Sequence, residues 1–277
     1  MAIIGISGKI GSGKDTVGLI IQCLKSNILD IDDIKDRVVN NISIHYPSQT
    51  NYQVKKFADK LKDTTCLLIG CTREQLEDRK FKERPLGEEW SVIVEYGPHN
   101  HKVLRPYFKG FEEKTEGVYQ YKKEILTPRR ILQLLGTEAG RMIIHPNIWV
   151  NALFADYKLN NKIKDLFIKG NENLKAEYPN WIITDVRFEN EAQTIKDKDG
   201  ILIRLNRDLK YLYPEQYSLF LKKGLDTTFE DYMMTLDKRL SHPSEIGLDN
   251  YQDWNYVIDN NGSIEDLIEK IKQIDYE

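Results

Sequence analysis

The chain has 277 residues, 40% of them hydrophobic, which is enough for one sizeable α/β core with inserted lobes and excludes a largely disordered chain. Its 40 Lys and Arg against 43 Asp and Glu give a formal net charge of −3, so there is no basic field of the kind that holds duplex nucleic acid, and small-molecule partners are expected. Three cysteines without a C-x-x-C pair (Cys23, Cys66 and Cys71), no signal-type N-terminal pattern and no run of membrane-spanning length together read as a cytoplasmic protein with no membrane partner.

In chain order, the first predicted element is a buried strand over Ala2 to Ile6. It feeds into Gly8-Lys9-Ile10-Gly11-Ser12-Gly13-Lys14, the spacing G-x-x-x-x-G-K of a phosphate-binding loop. Gly8, Gly11 and Gly13 free the backbone to curl into a nest of N–H groups around an anion, and Lys14 adds a mobile positive charge for the outer phosphates. The apolar side formed by Val17, Leu19, Ile20, Ile21 and Leu24 predicts the helix that such a loop must enter. The pattern points to a nucleoside triphosphate, with Gly8, Gly11, Ser12, Gly13 and Lys14 as contacts. Where the loop usually carries Ser or Thr, this chain has Asp15 followed by Thr16. Asp15 is read as a ligand to hydrated Mg²⁺ through water, or as an acid favoured by the helix dipole, and Thr16 as a contact to an inner phosphate.

Further along, Thr72 with Gln75 has capping-box spacing, and Glu83 to Gln120 lacks a clear period and is read as a surface insertion. A helix is predicted from Thr127, with Pro128 in its first position and Ile131, Leu132, Leu134 and Leu135 as its apolar residues. That helix places Arg130, Gln133 and Thr137 near one another, with Arg141 one turn on. An amide reads a base edge and arginines read a phosphate, so the set suits a nucleotide. Trp149 is read either as a base-stacking residue or as core. His99 and His101 find no third ligand at metal-site spacing.

Strands follow at Trp181 to Thr184, Ile201 to Leu205 and Tyr256 to Ile258, with helical patterns between or after them, as a parallel sheet wrapped by helices requires. Binding crevices lie at the carboxyl ends of such strands, which makes Asp185 a second carboxylate on the Mg²⁺ side rather than a plain cap. Arg187, Arg204 and Arg207 cluster nearby, with Arg187 and Arg207 as the candidates for neutralising charge on a transferred phosphoryl group. Asp208 to Arg239 reads as a second insertion with a helix inside, and Ser263 with Asp266 caps a last amphipathic helix.

The motifs Ser12-Gly13-Lys14-Asp15-Thr16, Phe57-Ala58-Asp59-Lys60-Leu61-Lys62, Arg79 to Trp90, Thr127-Pro128-Arg129-Arg130 with Leu132 to Glu138, Asp185-Val186-Arg187-Phe188 with Asn190-Glu191, and Asp259-Asn260-Asn261-Gly262 resemble those of phage-type deoxynucleoside monophosphate kinases. The resemblance implies a P-loop NTPase fold, a three-layer α/β/α arrangement with a parallel sheet. It implies one kinase domain over 1–277, with an acceptor-binding lobe within 50–160 and a lid-like insertion at 207–241. It also implies ATP-dependent phosphorylation of deoxynucleoside 5′-monophosphates, with Mg²⁺ as cofactor and a homodimer left open. Carried over by motif, Lys62, Arg79, Arg130, Gln133 and Arg141 surround the acceptor, Trp149 faces its base, and Asn260, Asn261 and Gly262 meet the adenine of ATP. The Gly-Lys-Asp variant is also similar to animal-type phosphomevalonate kinases, which leaves a phosphomevalonate-like acceptor as an alternative. A non-kinase NTPase switch is expected to show D-x-x-G and N-K-x-D elements; the N-K-x-D guanine reader does not occur, and a nucleotide-binding protein without turnover stays open.

Overall fold

The computed structural model describes residues 2–26, 30–40, 52–99, 101–158, 178–237 and 240–276. The chain divides into two compact units, Met1–Phe57 with Val150–Glu277, and Ala58–Trp149. In chain order the first unit opens with β1 (Ile3–Gly8), α1 (Lys14–Ser26), α2 (Ile31–Val39) and β2 (Tyr52–Lys55). The second contains α3 (Ala58–Ile69), α4 (Arg73–Glu77), α5 (Arg79–Glu83), β3 (Ser91–Tyr96), β4 (Lys102–Pro106), β5 (Lys114–Glu116), β6 (Tyr119–Ile125), α6 (Pro128–Gln133) and a π-helix (Leu134–Ile144). After α7 (Ile148–Phe154) the first unit resumes with β7 (Asn180–Val186), α8 (Glu189–Lys196), β8 (Ile201–Asn206), α9 (Leu209–Leu212), α10 (Pro214–Lys223), α11 (Phe229–Leu236), α12 (Pro243–Ile246), β9 (Tyr256–Asp259) and α13 (Ile264–Lys272).

The first unit is built on a five-stranded sheet in the order β2-β7-β1-β8-β9, parallel at every pairing. Its central strands are covered on both faces, so β1 and β7 read as continuous apolar runs rather than alternating ones. On one face Val17, Ile20 and Ile21 of α1, Ile34 of α2 and Leu267, Ile268 and Ile271 of α13 pack with Ile4, Ile6, Ile182 and Ile203. On the other, Ala192 and Ile195 of α8 and Val150 and Leu153 of α7 pack with Ile3, Trp181, Ile183 and Leu202. The three-layer α/β/α expectation is met, and the four expected strands are present. The edge strand β2 was not anticipated, because its single apolar residue between Tyr52 and Lys55, Val54, is exposed.

The second unit corrects one expectation. The aperiodic stretch within Glu83 to Gln120 forms, with β6, a four-stranded antiparallel sheet in the order β4-β3-β6-β5. Only β3 carries a buried run (Ile93, Val94 and Glu95), while its neighbours are largely solvated on both faces, which erases the period-two signal. The predicted caps do form: Thr72 and Gln75 make a reciprocal capping box, Thr127 accepts the Arg130 N–H ahead of Pro128, and Ser263 pairs with Asp266.

The helix from Thr127 departs from its predicted course. After Gln133 it widens into a π-helix, whose longer turn shifts Thr137 and Arg141 off the face that an α-helix would give them. Gly140 allows this: a Cβ there would lie 2.1 Å from the Leu135 carbonyl oxygen, five residues back. The insertion after β8 folds as α9, α10 and α11, and contacts among Tyr217, Phe220, Phe229 and Tyr232 join α10 to α11. No helix among the described residues is long and apolar enough to cross a membrane.

Candidate active site

The phosphate loop lies between β1 and α1. The Ser12 N–H donates to the Lys9 carbonyl (3.1 Å) and the Val17 N–H to the Gly13 carbonyl (2.9 Å), closing the turn and starting the helix. Gly13 adopts φ 95°, and a Cβ there would meet the Asn260 amide nitrogen at 2.7 Å. That approach is functional, because the Asn260 Nδ2 donates to the Ser12 carbonyl at 2.9 Å and braces the loop from the end of β9. Lys14 donates to the carbonyls of Gly8 (2.6 Å) and Lys9 (2.9 Å). Burial pushes the Lys14 ammonium down to about 8, and the Arg187 charge acts in the same direction; Glu245, Asp15 and Asp185 oppose it. Lys14 is thus surrounded by the chemistry-bearing residues of the first unit. Ser12 Oγ is buried without a hydrogen-bond partner among the described residues, and Thr16 is half-buried in the first turn of α1.

The carboxyl end of β7 lies beside this loop. Thr184 Oγ1 donates to Asp15 Oδ1 (2.6 Å), and Lys56 Nζ reaches the same oxygen at 2.8 Å. Burial works to raise the Asp15 pKa, but the hydrogen bonds from Lys56 and Thr184 and the charges of Lys56 and Lys14 outweigh it and hold the carboxyl below its ordinary value. Asp185 Oδ1 accepts the Phe57 N–H at 2.7 Å. Among the described residues no group of three His, Cys, Asp or Glu side chains is arranged to hold a metal. A hydrated Mg²⁺ does not need one, since it takes one or two carboxylates plus substrate phosphates. Asp15, ionised and with its side chain 69% exposed, suits that role, and Asp185 adds a second carboxylate.

The arginines separate into distinct settings. Arg187 NH1 reaches the Glu245 carboxylate and Ser244 Oγ (3.2 Å). Arg204, only 12% exposed, donates to Ser7 Oγ (3.3 Å) and Asp249 (3.1 Å) and lies over the Trp254 ring, so it holds strands and loops together. Arg207 Nε is buried with no partner among the described residues. Asn261 Oδ1 accepts the Asp208 N–H (2.9 Å). With the Asn260 amide also engaged, both asparagine side chains make structural hydrogen bonds.

The residues expected at the acceptor all belong to the second unit. Arg130 is clamped in two-pronged fashion by Glu138 (2.5 and 3.1 Å), and Lys62 pairs with Glu77 (2.6 Å). Arg79 is exposed at the start of α5, whereas Gln133 and Arg141 are half-buried. Trp149 is 7% exposed and donates its indole N–H to the Gly136 carbonyl at 3.0 Å. It packs the π-helix, and this setting supports the core reading of Trp149 over the stacking one.

Sequence reasoning missed Glu245 and Lys56. Neither lies in a recognisable pattern; Glu245 is in a one-turn helix 235 residues from the loop it contacts. No family model matches the chain. Two curated proteins do align with it. Over 233 residues it is 26% identical to the "Deoxynucleoside-5'-monophosphate kinase" of Escherichia phage T5, covering 73% of this chain and 77% of the relative. Over 148 residues it is 28% identical to the "Putative deoxynucleotide monophosphate kinase" of Acanthamoeba polyphaga mimivirus, covering 52% of this chain and 59% of the relative. The chain is therefore similar, over most of its length, to a viral deoxynucleoside monophosphate kinase, as its motifs led one to expect.

Proposed function

We propose that the chain transfers the γ-phosphoryl group of ATP to deoxynucleoside 5′-monophosphates, giving ADP and the corresponding diphosphate. The observation that carries the reading is Lys14 on a phosphate loop with Asp15, Asp185, Arg187 and Glu245 gathered around it, in a chain similar to proteins named for that activity. The loop amides and Lys14 bind the triphosphate, and Arg187 and Arg207 neutralise charge that builds on the transferred group. An acceptor phosphate, with a second pKa near about 6, is already largely ionised at neutral pH, so no general base is required. Positioning and charge neutralisation therefore supply the catalysis. Asp15 and Asp185 would hold Mg²⁺ through water; when bound, the ion neutralises phosphate charge and orients the triphosphate.

Arg130, with Lys62, Arg79 and Arg141, recognises the acceptor phosphate, and Gln133 reads the base. In the free protein Glu138 occupies the Arg130 fork with two carboxylate oxygens, as two phosphate oxygens would. A cytoplasmic location is part of this reading, since both nucleotide substrates are water-soluble. The test is ADP release from ATP with each deoxynucleoside monophosphate, with phosphomevalonate, and with no acceptor. Release that depends on a deoxynucleoside monophosphate is expected. Release without acceptor means an NTPase, release only with phosphomevalonate reassigns the acceptor, and none at all means a nucleotide binder.

A further inference from the structure

The segment that follows α11 returns to the phosphate loop, and its buried contact there is made by the carboxylate of Glu245. Glu245 lies in the one-turn helix α12, which Pro243 starts and His242 caps by accepting the Ser244 N–H (3.2 Å). Its side chain is 6% exposed. One carboxylate oxygen accepts the Ile10 N–H of the phosphate loop at 2.6 Å, and the other accepts from the Arg187 guanidinium. Arg187 is held from other directions too. Its backbone N–H donates to the buried Glu191 (2.8 Å), and Ser244 Oγ accepts from its side chain. The turn after α12 approaches so closely that a Cβ on Gly247 would lie 2.8 Å from the Arg187 carbonyl oxygen. On the loop itself, Lys9 is tied to Glu230 of α11 (2.6 Å) and to Asp249 (3.4 Å).

We propose that Glu245 is a positioning residue for nucleotide binding and phosphoryl transfer: it sets the loop backbone at Ile10 and the Arg187 guanidinium as one unit and balances the arginine's charge beside Lys14. The inference rests on the phosphoryl-transfer reading for its effect on turnover, but not for its effect on ATP binding. A buried carboxylate with two charged or polar partners fixes both only while all hydrogen bonds are made; removing one member leaves the others unsatisfied. Without the Glu245 carboxylate, the Arg187 guanidinium loses its counter-charge and the Ile10 N–H its anchor at the same time.

Glu245→Gln tests this, because the amide retains an acceptor for the Ile10 N–H while losing the charge. ATP affinity measured by calorimetry, without acceptor, should fall about tenfold relative to the wild type. In turnover, kcat should drop about tenfold or more while KM for the monophosphate stays within about threefold, the split expected of an interaction that matters in the transition state. Glu245→Asp, which keeps the charge, should recover part of the ATP affinity and of kcat. An ATP affinity and a kcat unchanged in a folded Glu245→Gln protein would overturn the proposal, since a purely structural staple would alter Tm alone. Should that variant not fold, Arg187→Gln is compared with the double variant Arg187→Gln/Glu245→Gln, in which no buried charge is left uncompensated. Equal kcat and ATP affinity in the two support a shared function, and a further loss of about tenfold or more in the double variant refutes it. If Glu245→Gln weakens ATP binding as expected but the wild type phosphorylates no monophosphate, the acceptor reading fails and the role of Glu245 stands.

Discussion

The two units hold their arginines in different ways. In the first, Arg187 is fixed by residues from α12 and by the Glu191 carboxylate of α8, which accepts its backbone N–H, on top of a sheet with a fully buried centre. In the second, Arg130 and Lys62 are each held by a single carboxylate from within the unit, on helices with few fully buried residues. The proposed donor-side site is therefore held by long-range bonds, whereas the residues proposed to meet the acceptor carry ion pairs within their own unit, of the kind a phosphate can exchange for itself. Preorganisation suits the centre where charge develops, and exchangeable pairs suit a site that must take up and release its substrate each turnover.

Breaking the preorganised side should have the largest effect. Lys14→Ala should lower turnover about a thousandfold or more, because the lost charge acts at the transferred phosphoryl group. The fold should survive, since burial already disfavours the Lys14 charge and its removal relieves that cost. Steady-state kinetics with a circular-dichroism melt checks both points, and near wild-type turnover in the folded variant would falsify the central role of the loop. Asp185→Asn retains an acceptor for the Phe57 N–H and removes only the charge. Turnover should fall about a hundredfold, with ATP affinity within about threefold of wild type and a raised Mg²⁺ requirement. An unchanged Mg²⁺ titration would reduce Asp185 to an anchor for the chain at Phe57.

On the exchangeable side the effects should be smaller. Arg130→Ala should raise KM for every deoxynucleoside monophosphate by about ten- to a hundredfold alike, whereas Gln133→Ala should alter the ranking among bases. Equal losses for all bases in both variants would deny Gln133 a reading role. Stability, not chemistry, is the readout for the π-helix. Gly140→Ala should cost about 2 kcal/mol or more, because its Cβ cannot fit against the Leu135 carbonyl; Trp149→Phe should cost about 1 kcal/mol through the lost bond to Gly136. Urea melts of the two variants give the order, and a Gly140→Ala protein as stable as wild type would remove glycine as the cause of the widened turn.

Much of this protein was legible in its sequence wherever a local rule decides the outcome. The loop glycines, the strand before them, the caps at Thr72, Thr127 and Ser263 and the central apolar strands all depend on residues within a few positions of one another, and all form as read. The edge strand β2 and the antiparallel sheet of the second unit were hidden, because solvated strands carry little alternation and exist through pairing with partners distant in the chain. The π-helix escaped because propensity favours an α-helix over that stretch, and only the backbone approach at Gly140 and the bond from Trp149 to Gly136 reveal the wider turn. The composition of the site followed the same division. Lys14, Asp15 and Asp185 announce themselves by motif and strand end, but Glu245 gains its place from a contact 235 residues away, and charge and burial there are properties of the packed molecule rather than of any local pattern.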